Sequence, residues 1–131
     1  MTVFDLDESK GVWFDMDGGG RVKLKTLTPS EWKAIRKQTV KKRDVFKKVE
    51  GKAERFEYED VNEDLQNELF WDAIIVDWEN LYDAKEAAIL CNRENKILLM
   101  DNSQKFASFI VDSLKTLSDS EAAQAEASEK N

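Results

Sequence analysis

The sequence predicts a mainly α-helical α+β fold: a small helical domain with an N-terminal β-hairpin. Two short alternating runs flank a triple glycine near the N-terminus, and later segments space their apolar residues by three and four. At 131 residues the chain has the length of one domain. We expect residues 1–118 to form that domain. Residues 119–131, whose apolar residues are all alanine, are expected to form a polar, flexible tail.

The predicted hairpin lies in VWFDMDGGGRVKLKTL, residues 12–27. Apolar and polar residues alternate on both sides of the glycines, and glycine permits the positive φ angles of a tight turn. The pattern indicates two antiparallel strands.

The first helix is predicted to begin in TLTPSEW. Pro29 suits a first helical turn, and Glu31 lies where the acid of a capping box would lie. We expect the helix to end near Arg43. Residues 45–58, around Gly51, are interpreted as a loop or a weak second hairpin.

A second helix is predicted to begin at Asp60 or Asn62 and to continue to about Leu81. It is apolar on most sides, which is typical of a buried helix. Trp71 and Trp78 are seven residues apart, so they would share a face of it as core residues.

Two further helices are predicted near the C-terminus. The first is the short segment RENKILLM, and the second is amphipathic. Apolar residues recur along the second one at Phe106, Phe109, Ile110, Leu114 and Leu117.

The net charge of −7 conceals two blocks of opposite sign. Residues 33–48 carry eight bases and one acid, whereas residues 57–80 carry nine acids and no base. The simplest interpretation is two solvated faces that attract each other within or between molecules. A nucleic-acid patch is disfavoured, because the basic block has no aromatic-basic recognition motif. We therefore expect no nucleic acid among the partners.

Histidine is absent and Cys91 is the single cysteine. The commonest general base and the commonest zinc ligands are therefore missing, and no internal disulfide can form. The sequence also has neither a signal-peptide pattern nor an apolar run of membrane-spanning length. We expect a cytoplasmic protein that does not insert into membranes.

One motif suggests chemistry. VWFDMDGG resembles the signature of haloacid dehalogenase-type phosphatases, in which Asp15 would attack phosphorus and Asp17 would handle protons. That chemistry requires Asp15 at the end of a central parallel strand, whereas here the glycines lead directly into a returning strand. We therefore expect no enzymatic activity, no cofactor and no metal.

The chain as a whole resembles another family. The resemblance lies in the order of four segments. An acidic stretch separates LTPSEWKAIRK from IVDWENL, and ENKILLM and FASFIVDSL follow. This order is similar to that of the tail assembly chaperones of long-tailed bacteriophages and prophages, over roughly residues 12–117. Two positions depart from the family pattern, since Asn80 and Ala87 stand where glycine is usual. Asn tolerates a left-handed backbone, while Ala87 suggests a more helical connection.

The resemblance implies a non-enzymatic role and protein partners. Tail assembly chaperones bind the tape-measure protein, help recruit tail-tube subunits, and are absent from the mature virion; they are often oligomeric. Candidate partner-binding residues are Phe106, Phe109 and Leu114, for which core packing is the alternative. A structural minor tail or head-tail joining protein is the alternative function. A small acidic inhibitor or DNA mimic is disfavoured by the adjacent basic block.

Overall fold

The computed structural model describes Thr2 and residues 11–129, with side chains described as far as residue 121. The described chain forms two compact units, residues 1–28 with 71–131 and residues 29–70. Its strands are β1 (Val12–Asp15), β2 (Arg21–Leu24), β3 (Val40–Val49), β4 (Lys52–Val61) and β5 (Ile75–Glu79). Its helices are α1 (Pro29–Thr39), α2 (Glu63–Ile74), α3 (Arg93–Asn102) and α4 (Gln104–Glu129).

The prediction of a mainly helical fold with one hairpin is wrong. The strands form two antiparallel sheets, one ordered β1-β2-β5 and the other formed by β3 and β4. The molecule is therefore an α+β protein with substantial strand content. The two errors behind the prediction lie in residues 40–61 and in residues 75–79.

The three-stranded sheet and α4 supply most of the buried apolar residues of the first unit. The predicted N-terminal hairpin is confirmed, since β1 pairs with β2 in an antiparallel register that places Phe14 opposite Val22. On its other edge β2 pairs with β5, with an irregularity between Lys23 and Leu24. Val22 and Leu24 have no solvent-exposed surface, as expected for the inward-facing positions of a central strand.

The second predicted helix is too long, because residues 75–79 form β5 instead of its last turns. Asn62 does begin the helix, accepting a hydrogen bond from the Leu65 amide at its side-chain oxygen. The helix ends at Ile74, and the β-branched run from Ile74 to Val76 favours the extended conformation that follows. Pairing with β2 then satisfies the backbone groups of β5.

Trp78 is a core residue, as predicted, although it lies in β5 and not on a helix. It is 6% exposed, and its indole nitrogen donates a hydrogen bond of 2.7 Å to the Ile89 carbonyl. Its ring meets that of Phe106 edge-on, with centroids 6.0 Å apart. Trp71 lies in α2 and is half-buried, so the two tryptophans do not share a helix face.

The connection after β5 is a turn. Asn80 has a φ of 59°, which confirms that asparagine adopts the left-handed backbone at this position. The expectation of a more helical connection around Ala87 is wrong, because Tyr82 and Ala88 form an isolated antiparallel bridge. The Asp83 carboxylate accepts hydrogen bonds from the amides of Lys85 and Ala87 and so organises this turn.

The two predicted C-terminal helices are confirmed. Asn92 caps α3 by accepting a hydrogen bond from the Asn95 amide at its side-chain oxygen. Helix α4 begins after Ser103 and continues to Glu129, through residues assigned above to a flexible tail. The division of the chain at residue 118 stays a prediction.

The second unit contains α1, a long hairpin and the first turns of α2. Helix α1 ends at Thr39, four residues before the predicted end, because Val40 already pairs with Val61 in the β3–β4 ladder. We call β3, β4 and their turn the 40–61 hairpin. Residues 45–58 are therefore a hairpin, not a loop, and the hairpin is longer than predicted.

The turn of the 40–61 hairpin is Glu50–Gly51, with φ angles of 53° and 81°. Two consecutive positive φ angles define the turn type that matches the twist of paired strands, and Asn-Gly is its preferred sequence. A glutamate in the left-handed region costs roughly 1–2 kcal/mol, part of which an asparagine recovers.

We therefore predict that Glu50→Asn raises the free energy of unfolding by about 0.5–1 kcal/mol. Gly51→Ala should lower it by about 1 kcal/mol, because a side chain is strained at positive φ. Urea denaturation followed by circular dichroism measures both changes. A destabilised Glu50→Asn variant would contradict the turn geometry.

Candidate interaction surface

The N-terminal acids Asp15 and Asp17 lie in an antiparallel hairpin. Asp15 ends β1 and Asp17 lies in the turn, where the Met16 amide donates to the Gly20 carbonyl. Both aspartates are exposed, and the strand that follows is antiparallel. Among the described residues no cluster of three or more His, Cys, Asp or Glu side chains is arranged to hold a metal.

The predicted partner-binding residues do not form one exposed face. Phe106 is 4% exposed and packs edge-on against Trp78, so it is a core residue. Phe109 and Leu114 are half-buried. With 100° between successive residues, they lie on opposite borders of the buried face that includes Ile110. Partner contact by Phe109 or Leu114 stays a prediction.

Beside Leu114, the exposed side of α4 carries apolar surface that the sequence analysis did not predict. Val111, one turn before Leu114, is 59% exposed. On α3, which packs against α4, Leu98 is 51% exposed. We call Leu98, Val111 and Leu114 the α3–α4 apolar set. Apolar residues spaced regularly by three and four identify the buried side of a helix. The same pattern does not identify exposed apolar residues such as these.

The 40–61 hairpin brings the two charge blocks together within the chain. On one face Lys42 and Arg55 form ion pairs with Glu57 and Asp44, at 3.3 and 3.1 Å. At the helix side Arg36 contacts Glu59 at 3.5 Å. Exposed pairs of this kind contribute about 0–1 kcal/mol each. The two pairs within the ladder join residues that lie diagonally across the strands, and they favour this register over a shifted one.

The other face of the hairpin combines cations with aromatic rings. The Lys47 ammonium lies 5.5 Å from the Tyr58 ring centre and 3.1 Å from its hydroxyl oxygen. Arg43 also lies over the Tyr58 ring. Large apolar side chains remain exposed on the hairpin as a whole, most of all Phe46 at 68%. Phe46 lies on the opposite face of the hairpin from Tyr58, since it pairs with Arg55 in the register.

The thiol of Cys91 is half-buried. Burial raises the pKa of the thiol above its ordinary value, although the charge of Lys96 partly opposes this. Because only the thiolate is nucleophilic, native Cys91 should be a poor nucleophile near neutral pH.

We predict that iodoacetamide alkylates Cys91 several-fold more slowly in the native protein than in urea at the same pH. The raised folded-state pKa also means that this group lowers stability as pH rises above the unfolded-state value, about 8.5. Mass spectrometry of timed reactions measures the alkylation. Equal rates in both states would show that the thiol is neither shielded nor perturbed.

One of three comparisons with known proteins gives a match. The sequence model of a family described as "YdaY prophage protein" matches residues 28–131. No curated protein and no solved structure matches the chain. Among the described residues, no helix is long and apolar enough to cross a membrane.

Proposed function

We propose that this chain, which belongs to the YdaY prophage protein family, is a non-enzymatic tail assembly chaperone. Its partners would be the tape-measure protein, whose apolar helices it shields, and the tail-tube protein. It would act in the host cytoplasm and be absent from the finished virion. The finer assignment rests on the resemblance of residues 12–117 to tail assembly chaperones.

The α3–α4 apolar set is the observation that carries the proposal. A chaperone for an elongated helical protein needs apolar surface on a charged body, so that it can cover a partner's apolar stripe and stay dissolved. Leu98 and Val111 supply exposed apolar side chains on two consecutive helices that contact each other, and Leu114 is half-buried one turn after Val111. The partner's apolar contact would set most of the affinity, while surface charges set the encounter rate.

The test is co-expression with the tape-measure protein of the same prophage. We expect the soluble fraction of the tape-measure protein to rise when the chain is present. A double variant, Leu98→Ser with Val111→Ser, should abolish that rise while the far-ultraviolet circular dichroism stays unchanged. Lys115→Ser, an exposed substitution on the same helix, is the matched control and should retain the effect.

Two results would defeat the proposal. If the soluble fraction of the tape-measure protein is the same with and without this chain, the chain is not its chaperone. Mass spectrometry that finds the chain in purified virions at a fixed copy number would favour the alternative, a structural minor tail or head-tail joining protein.

A further inference from the structure

The 40–61 hairpin carries two unpaired edges. Within the described residues, β3 and β4 pair only with each other, along ten residues each. Most of their side chains are exposed. A two-stranded hairpin without further packing is marginally stable, and an unpaired edge invites another strand.

The register determines which backbone groups point outward. A two-residue turn is closed by a hydrogen-bonded pair, here Val49 with Lys52, and such pairs then alternate along an antiparallel ladder. The other end of the hairpin fits the same alternation. There the Asn62 amide donates a hydrogen bond of 2.8 Å to the Thr39 carbonyl, as expected for a hydrogen-bonded pair at that position.

The intervening residues therefore direct their N–H and C=O groups away from the hairpin. On β3 and β4 these residues are Val40, Lys42, Asp44, Phe46, Lys48, Ala53, Arg55, Glu57, Glu59 and Val61. Each edge thus offers a regular row of donors and acceptors spaced two residues apart.

The two edges differ in charge. Strand β3 carries five basic residues and one acid, whereas β4 carries four acids and two bases. Two β3 edges would repel each other, as would two β4 edges, since like charges directly opposite are destabilising. A β3 edge facing a β4 edge instead repeats the pattern that already joins the two strands within the chain.

We propose that the hairpin is the self-assembly element of this protein: the β3 edge of one copy adds to the β4 edge of the next. The hairpins then lie side by side with their turns at the same end, so every contact between neighbouring strands stays antiparallel. This contact is head-to-tail, because it uses two different surfaces, and it produces a closed ring or an open row of copies.

Exposed apolar side chains add to the same contact. Val49 and Tyr58 lie on the face of the hairpin that carries Val45 and Phe56, and each is more than a third exposed. Neighbouring hairpins would continue this stripe from copy to copy. Aromatic and β-branched residues on adjacent strands stabilise a sheet by contact across the strands.

The test uses two variants, each of which blocks one edge. Proline removes an N–H group and is tolerated where that group faces outward. Phe46→Pro blocks the β3 edge, and Arg55→Pro, at the opposite position of the same pair, blocks the β4 edge. Val45→Pro is the control that removes a bond inside the hairpin and should disrupt it.

Light scattering after size-exclusion chromatography gives the expected results. The unaltered purified chain, without any partner, should form oligomers that weaken as salt is raised. Each edge-blocked variant alone should be monomeric. An equimolar mixture of the two should give dimers and nothing larger, because each dimer joins the one intact β3 edge to the one intact β4 edge.

Several results would overturn the inference. If the unaltered chain is monomeric, the protein does not self-assemble and the inference is wrong. If an edge-blocked variant still assembles alone, head-to-tail pairing of β3 with β4 is excluded. If a proline variant does not fold, hydrogen exchange on the unaltered chain tests whether the β3 edge is paired between copies. The amides of residues 42, 44, 46 and 48 must gain protection as protein concentration rises, and unchanged exchange overturns the proposal. None of these measurements involves the tape-measure protein, so failure of the proposed function leaves this inference standing.

Discussion

Replacing Trp78 with alanine is expected to lower the free energy of unfolding by about 3–5 kcal/mol, the usual loss for a large buried aromatic side chain. The indole touches Phe106 of α4 and donates to the Ile89 carbonyl beyond β5. Its loss therefore opens a cavity and also leaves a carbonyl group without its donor. Since small domains are stable by about 5–15 kcal/mol, a large part of the protein's stability depends on this one residue.

Urea denaturation followed by far-ultraviolet circular dichroism measures the effect without relying on tryptophan fluorescence. Trp78→Phe should lose less, because an edge-to-face contact with Phe106 can persist while only the hydrogen bond is removed. Trp32→Ala is the matched control, since that residue is 37% exposed. A Trp78→Ala variant as stable as the Trp32→Ala variant would show that Trp78 is not part of the core.

Lys96→Ala is expected to lower the free energy of unfolding by about 2–3 kcal/mol. Its ammonium group contacts the carboxylate of Asp72 at 3.0 Å and the backbone carbonyl of the same residue at 3.1 Å. The lysine side chain is 9% exposed but the aspartate side chain is 39% exposed. Water can therefore reach the carboxylate after the lysine is removed, which limits the loss.

A double-mutant cycle separates the ion pair from the packing of the lysine methylenes. Lys96→Met keeps the apolar stem and should recover about 1 kcal/mol relative to alanine. Asp72→Ala leaves the ammonium group with the carbonyl as partner, and the cycle should give a coupling energy of about 1 kcal/mol. Additive single and double variants would show that the two charges do not interact.

The elements that the sequence predicted correctly have local signals. Gly18 and Gly19 permit the positive φ angles of the first hairpin's turn, and the side chains of Asn62 and Asn92 begin helices by capping amides three residues later. Each of these interactions is complete within a few residues. Their consequences are therefore visible without knowledge of the rest of the fold.

The elements that the sequence did not reveal depend on distant or unusual partners. Ile75 becomes a strand residue because Leu24, about 50 residues earlier, pairs with it, and a short apolar run is compatible with either a helix or a strand. In the 40–61 hairpin, cross-strand charge pairs replace the apolar alternation that normally marks strands. Val111 was missed for a simpler reason, since helical periodicity identifies the buried face of α4 and not what its opposite side exposes.

The separation of β2 from β5 along the chain has a consequence for the order of folding. Closing a loop of about 50 residues before Leu24 can meet Ile75 costs entropy that increases with the logarithm of loop length. The 40–61 hairpin is local, and hairpins of this kind form within about 1–10 μs. Once it has formed, the Asn62 amide and the Thr39 carbonyl join the two ends of the intervening segment.

The remaining loop is then about 28 residues long, so the closure cost falls by roughly 0.5 kcal/mol. The 40–61 hairpin thus lowers the entropic cost of pairing β2 with β5, although it contributes no strand to their sheet. Variants that weaken its turn would slow the folding of the three-stranded sheet, whereas variants of the buried side of α4 would mainly accelerate unfolding.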